Sequence, residues 1–136
     1  MAKKDLMIVS GKRKTSIAKA SIFPGSGKVT INNIPHNKLF NFHKLMIDEP
    51  LIIAKKNLKT LDYDLKVSIK GGGRESQIEA ARLAIAKALV KRTKSESLRK
   101  AYAKYDKHLL VADVRRKEAN KPGDSKARSK RQKSYR

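Results

Sequence analysis

The sequence contains no cysteine and no tryptophan, only three phenylalanines and four tyrosines, and 12 acidic residues against 34 Lys and Arg. Each shortage excludes something. Without cysteine there is no disulfide, no zinc ribbon and no thiol nucleophile. The histidines His36, His43 and His108 are scattered, without the spacing of a metal site. With aromatic residues at 5%, the chain lacks the stacking platform of a typical single-strand binder. No apolar run approaches the ~18 residues of a membrane span. The N-terminal apolar stretch Leu6-Met7-Ile8-Val9 is too short for a signal peptide. These absences predict a soluble intracellular protein with no membrane, metal, cofactor or small-molecule substrate.

Positive charge is abundant. The 136 residues carry a net +22, with a sequence pI near 10.5. It is densest from Val114 to Arg136, where ten Lys and Arg face only Glu118 and Asp124. Beyond Val114 the carbon-rich side chains are two alanines and Tyr135. Such a segment cannot bury enough apolar surface to offset the entropy of ordering its backbone. The expected organisation is a globular domain over 1–113 and a basic extended tail over 114–136, disordered until RNA imposes a path on it. Ten cations against two acids give the tail +8, which leaves +14 on the rest. The basicity therefore belongs to the whole molecule, and a polyanion such as nucleic acid is the partner it suits.

The pattern along the chain alternates between strand and helix signals. Leu6–Val9 reads as a short strand, and Ser16–Phe23 and Val29–Ile31 as a hairpin around the turn Pro24-Gly25-Ser26-Gly27. Asn32-Asn33-Ile34-Pro35 breaks that hairpin. Asp48 is spaced to cap a helix entered at Glu49-Pro50. Tyr63, Leu65, Val67 and Ile69 alternate with Asp64, Lys66, Ser68 and Lys70, the cleanest strand pattern in the chain. After Gly71-Gly72-Gly73 a long helix runs from about Arg74 to Arg92, with Ser76 and Glu79 spaced as a capping box. Its alanines let it sit close to a sheet. Thr93 and Glu96 open another helix to about Tyr105, and Leu109, Leu110 and Val111 close the core. The fold class is α+β: a two-layer mixed β-sheet with helices packed on it, plus the tail.

Motifs that carry chemistry are few. Gly25-Ser26-Gly27-Lys28 fails the spacing of a phosphate-binding P-loop. Gly71-Gly72-Gly73-Arg74 is either a phosphate seat of backbone amides and a guanidinium at a helix N-terminus, or a strand-to-helix turn that needs positive φ. Asp62 and Asp64 have no acid–base partner nearby, and a solvated edge or salt bridges to lysine suit them better than catalysis. Lys12-Arg13-Lys14-Thr15-Ser16 lies between two strands, where a loop can present three cations and two hydroxyls to phosphates. Arg82, Lys87, Lys91 and Arg92 add charge to the long helix. Shape and phosphate recognition of folded RNA or duplex fits this composition. A DNA-compacting protein and an RNA-acting enzyme are the competing readings.

Four ordered segments carry a family likeness. They are Gly11–Ala18 (GKRKTSIA), Ile31-Asn32-Asn33 through Pro50-Leu51, Gly71–Leu89 (GGGRESQIEAARLAIAKAL), and Asp113–Arg116 with Ser129–Arg136. In these the chain resembles the small-subunit ribosomal protein S-nine family, in its archaeal and eukaryotic form, over essentially its whole length. Ser76 and Asn33 stand where that family usually has glycine. The resemblance implies a fold like the second domain of ribosomal protein S-five and a cytoplasmic place in the head of the small ribosomal subunit. Its partners there would be ribosomal RNA, the peptidyl-site transfer RNA and neighbouring proteins of the head. The expected ribosomal-RNA contacts are Lys12, Arg13, Lys14, Thr15, Ser16, Gly71, Gly72, Gly73, Arg74, Gln77, Arg115, Arg116, Lys121, Lys126, Arg128 and Lys130. Arg131, Lys133, Tyr135 and Arg136 would reach the transfer RNA.

Overall fold

The computed structural model describes residues 6–123 and 126–135. Five strands form one mixed sheet: β1 (Met7–Arg13), β2 (Ser16–Pro24), β3 (Val29–Ile31), β4 (Ile34–Pro35) and β5 (Tyr63–Lys70), in the spatial order β1-β2-β5-β3-β4. β1 and β2 pair antiparallel, as do β2 and β5, whereas β3 runs parallel to β5. Three helices, α1 (Asn41–Leu58), α2 (Arg74–Thr93) and α3 (Glu96–Tyr105), complete the α+β architecture.

The expected hairpin between β2 and β3 does not form, because β5 enters between them. The Pro24–Lys28 loop is tied instead to the start of β5. Asp64 accepts the amide N–H groups of Ser26 and Lys28, both at 2.8 Å, and Gly25 donates to the Asp62 carbonyl at 3.0 Å. The Lys28 amide, with those of Ser26 and Gly27 and the Lys28 charge, outweighs desolvation and holds the Asp64 carboxyl below its ordinary range. Asp64 thus serves as a loop anchor. A side chain at Gly25 would collide with that carboxylate, whose Cγ lies 2.1 Å from where a Cβ would stand. β3 closes a tight hairpin with β4 instead, around Asn32 and Asn33 at φ 48° and 67°. Asparagine tolerates that left-handed conformation, so Asn33 does the work of a turn glycine. Asn32 also accepts the Ile69 amide at 2.8 Å, fastening this hairpin to β5.

The start of the first helix and the capping residues of the other two differ from the pattern. α1 begins at Asn41 and runs through Pro50, so Asp48 is no cap; its carboxylate lies 3.4 Å from His36 Nε2. Proline inside a helix forfeits one backbone bond, but Ile47, Pro50, Leu51 and Ala54 make the buried stripe of α1. The Pro50 carbonyl also accepts the hydroxyl of the fully buried Tyr102 on α3, at 2.7 Å. Burial pushes that phenol's pKa upward and keeps it a donor. The N-cap of α2 is Gly73, so Ser76 and Glu79 form no capping box. α3 is capped by Ser95, which accepts from the Leu98 amide, while Thr93 ends α2 by donating to the Leu89 carbonyl at 2.8 Å. Leu109 is buried and Leu110 packs against the core, but Val111 is exposed.

The core lies between the sheet and the helices. Ala18, Ala20 and Ile22 of β2 and Leu65, Val67 and Ile69 of β5 face Ile78, Ala81, Ile85, Ala88 and Leu89 of α2. The alanines bring α2 down close to the sheet, most closely over Gly11. A Cβ there would stand 2.5 Å from the Ala80 carbonyl oxygen and 2.7 Å from the Ala84 amide nitrogen, both backbone atoms that cannot swing aside. Gly11→Ala is therefore expected to destabilise the domain by about 1–3 kcal/mol through overpacking. Chemical denaturation of the two proteins measures this, and equal midpoints would show that α2 can lift without penalty.

Candidate functional site

β1 continues through Arg13, and Arg13 pairs with Ser16, so the basic run is not a loop: only Lys14 and Thr15 form the turn, with Lys14 at φ 52°. Strand alternation then separates its side chains. Lys12 is exposed on one face of the sheet, while Arg13 and Ser16 face the helices. Arg13 bonds through Nε to Glu79 on α2, and its Nη1 lies 2.6 Å from Asp113 Oδ2 but off the line of a hydrogen bond. With its side chain only 15% exposed, Arg13 is committed to holding the fold. Ser16 is fully buried. Both side chains are tied into the fold, Ser16 beneath the surface and Arg13 through Glu79 and Asp113.

The buried Ser16 hydroxyl joins the β1–β2 turn to the glycine turn. It donates to the Gly71 carbonyl and meets the Ser76 hydroxyl, both at 2.9 Å. Ser76 in turn accepts the Gly73 amide at 3.1 Å. Gly71 and Gly72 sit at φ 78° and 69°. A Cβ on Gly71 would stand 2.7 Å from the Thr15 carbonyl oxygen, and one on Gly72 1.9 Å from Ser16 Oγ. The glycine turn thus needs both positive φ and room against the neighbouring turn. Ser76 supplies a hydroxyl that closes this contact. Gln77 donates to the Gly71 carbonyl at 3.0 Å, so its amide also braces the turn. Gly73 has open space around it, and Arg74 is exposed at the start of α2.

A second cluster fixes where the C-terminal segment leaves the domain. Asp113 accepts the Arg115 amide at 2.9 Å and, through Oδ2, its Nε at 2.9 Å and Nη2 at 2.7 Å, beside the ion pair to Arg13. The Arg115 side chain and amide hold the Asp113 carboxyl far below the usual aspartate range. Arg13, Lys14 and Thr15 line one side of a groove and Arg115, Arg116 and Lys117 the other. Nearby, Arg82 donates to Glu49 at 2.8 Å and to Asp106 at 3.0 Å, tying α1 and the end of α3 to α2. Burial lowers the pKa of Arg82, but Asp106 and Glu49 outweigh it and raise the pKa. This guanidinium is therefore structural, and Arg92 lies over the Tyr63 ring at 5.7 Å.

Three of the expected regions therefore converge: the β1–β2 turn, the glycine turn and the root of the tail. The cations they expose are Lys14, Arg74, Arg115, Arg116 and Lys117. Further along, Lys121 donates to the Ser129 carbonyl at 3.1 Å and Arg128 to Glu118 at 2.9 Å. Lys126, Lys130, Arg131, Lys133 and Tyr135 are exposed, and Arg136 lies outside the described residues. Glu79 and Asp113 tie these parts together, whereas the sequence marks Glu79 only as a helix-capping residue and Asp113 only as part of a family-like segment. The signal for Asp113 was its position as an isolated acid immediately ahead of Arg115-Arg116.

This arrangement defines a class: a small, strongly basic α+β protein that spends its acids on internal ties and turns cationic turns and a cationic extension outward, in the manner of ribosomal proteins. The chain belongs to the ribosomal protein S9/S16 family, whose model matches residues 11–136. It is 45% identical to a protein of Desulfurococcus amylolyticus over 96% of this chain and 93% of that one. It is 43% identical to a Pyrobaculum aerophilum protein, over 96% and 92% of the two chains, and 43% identical to one of Methanococcus vannielii, over 93% and 95%. All three relatives are named small ribosomal subunit protein uS9. The family is structural, not enzymatic.

The tail root yields a test. Asp113→Asn removes the charge that Arg13 and Arg115 share, and amide exchange across residues 113–117 should accelerate while the core strands remain protected. In the unsubstituted protein the depressed carboxyl contributes stability above the ordinary aspartate pKa of ~3.9 and loses it only as pH falls through the lower, folded value. Protection at the root should therefore persist at pH ~4, where a free aspartate is half protonated. Loss of protection already at pH ~5 would show that this ion pair does not hold the root.

Proposed function

We propose that the chain is a structural constituent of the small ribosomal subunit, binding ribosomal RNA through the joined turns and the tail, with the tail's end directed to the peptidyl-site transfer RNA. The observation that carries this reading is the groove between Lys14-Thr15 and Arg115-Arg116-Lys117. There cations from opposite ends of the chain meet beside the glycine turn, and the nearest acid, Asp113, is already paired. Phosphates are the natural occupant of such a groove, and guanidinium forks suit them geometrically. The contact set on the domain is Lys12, Lys14, Thr15, Gly71, Gly72, Gly73 and Arg74, with Ser16, Gln77 and Arg13 holding the turns in place. Arg115, Arg116, Lys121, Lys126, Arg128 and Lys130 continue it along the tail.

Binding should be steeply salt-dependent. With about ten phosphates neutralised, the slope of log K against log[salt] on a head-domain ribosomal RNA transcript should be roughly −7 to −9. A variant carrying Lys14→Glu, Arg74→Glu and Arg116→Glu should keep its melting temperature and lose about 2–3 units of that slope. An unchanged slope would mean that these cations face solvent in the complex.

The tail from Val114 could reach roughly 75 Å if fully extended, far beyond the radius of the domain. Arg131, Lys133 and Tyr135, with Arg136, are the groups that would meet a transfer RNA. Deleting the last three residues should leave subunit assembly nearly unchanged and speed transfer-RNA dissociation from the peptidyl site by an amount worth about 1–3 kcal/mol. Equal dissociation rates on a programmed message would leave the tail as an anchor to ribosomal RNA alone.

A further inference from the structure

The helices cover one face of the sheet, and strand register determines what stands on the other. Lys12, Ile17 and Lys70 lie side by side across β1, β2 and β5; Ser10, Lys19 and Ser68 form the next row; Ile8, Ser21, Lys66 and Thr30 form the third. Lys12, Lys19, Lys66 and Lys70 are all exposed. Among the described residues, none of these four ammonium groups has an ion-pair partner. The three rows contain no carboxylate. Asp64, beside Phe23 in the row beyond, is already taken by the Ser26 and Lys28 amides.

With strands ~4.8 Å apart and alternate residues ~6.8 Å apart, each lysine root has another about 8 Å away diagonally. Like charges at such spacing repel. The chain keeps four of them on a rigid lattice, interleaved with the hydroxyls of Ser10, Ser21, Ser68 and Thr30, without a counter-charge. An apolar protein surface does not fit here, because Ile8 and Ile17 are separated by polar residues and make no continuous patch. Nor do splayed bases fit, because no aromatic ring stands in the three rows. A sugar-phosphate backbone matches both features, lysines to its charge and hydroxyls to its oxygens. The first row also abuts Lys14 and Gly71, so a backbone seated at the turns can continue down the sheet.

We infer that this open sheet face is a second RNA-binding surface, one that grips the phosphate backbone of a helical ribosomal RNA segment through Lys12, Lys19, Lys66 and Lys70. The inference rests on the ribosomal-RNA reading above, shares Lys12 with it, and adds the sheet lysines Lys19, Lys66 and Lys70, which belong to neither turn nor tail. The test uses the full chain with Lys19→Gln, Lys66→Gln and Lys70→Gln together, and the same head-domain transcript. The salt slope should fall by about 2–3 units, with the melting temperature unchanged. If the turn variant flattens the slope and the sheet variant does not, the sheet face is no RNA surface and the general reading stands. If neither does, both fail. Because the chain has no cysteine, Lys66→Cys can carry a single photo-crosslinker into assembled subunits. Capture of ribosomal RNA supports the inference, and capture of a neighbouring protein alone overturns it.

Discussion

The structure depends on how closely α2 lies against the sheet. At Gly11 the helix backbone comes so near β1 that no side chain fits between them, and Ala80, Ala81, Ala84 and Ala88 keep that distance along the helix. A helix this close buries its own face and that of the strands together, which is how a domain with few large aromatics still builds a core. The same closeness brings Glu79 within reach of Arg13, and so sets where the C-terminal segment can be clipped to the domain. It also brings Ser76, one turn into the helix, against Ser16 and the glycine turn.

The scarce acids are placed with purpose. Glu49 and Asp106 neutralise Arg82 between the helices, Glu79 and Asp113 neutralise Arg13 at the edge, and Asp64 gathers backbone amides. Partly buried charges of this kind are costly unless paired, and removing one partner strands the other. Because so much negative charge is consumed internally, the outward lysines and arginines are left with little to oppose them. The outward field is thus set by how the charges are arranged as well as by the net +22.

Much of this was legible in the sequence. The alternation from Tyr63 to Ile69 and the small-residue face of the helix after Gly73 are local patterns, and each corresponds to what the structure holds. What the sequence concealed depends on distant partners. Pro24-Gly25-Ser26-Gly27 has every mark of a hairpin turn, yet Asp64 captures its amides and β5 takes the place beside β2. Pro50 signals a helix start, but the stripe Ile47, Pro50, Leu51, Ala54 outweighs one lost backbone bond. Arg13 and Ser16 sit in a run of phosphate-binding types, and only the register of β1 and β2 turns them inward. The bracing role of Ser16 is not visible in sequence until Gly71 and Ser76 are placed above it.

The central position of β5 has a bearing on how the chain comes to be folded during synthesis. β1 and β2 are neighbours in sequence and can pair as soon as they emerge, and β3 with β4 likewise. The two hairpins cannot be joined until β5, made after all of α1, slides between β2 and β3. Until then the inner edge of β2 is an open template with unpaired amides. Sheet closure is thus a late, long-range event, slow by the nature of its connectivity. Only after it, and after α2 has come down over Gly11, does the Arg13 that receives Asp113 stand in its final place. The segment made last is therefore anchored last, once the body that aims it is complete.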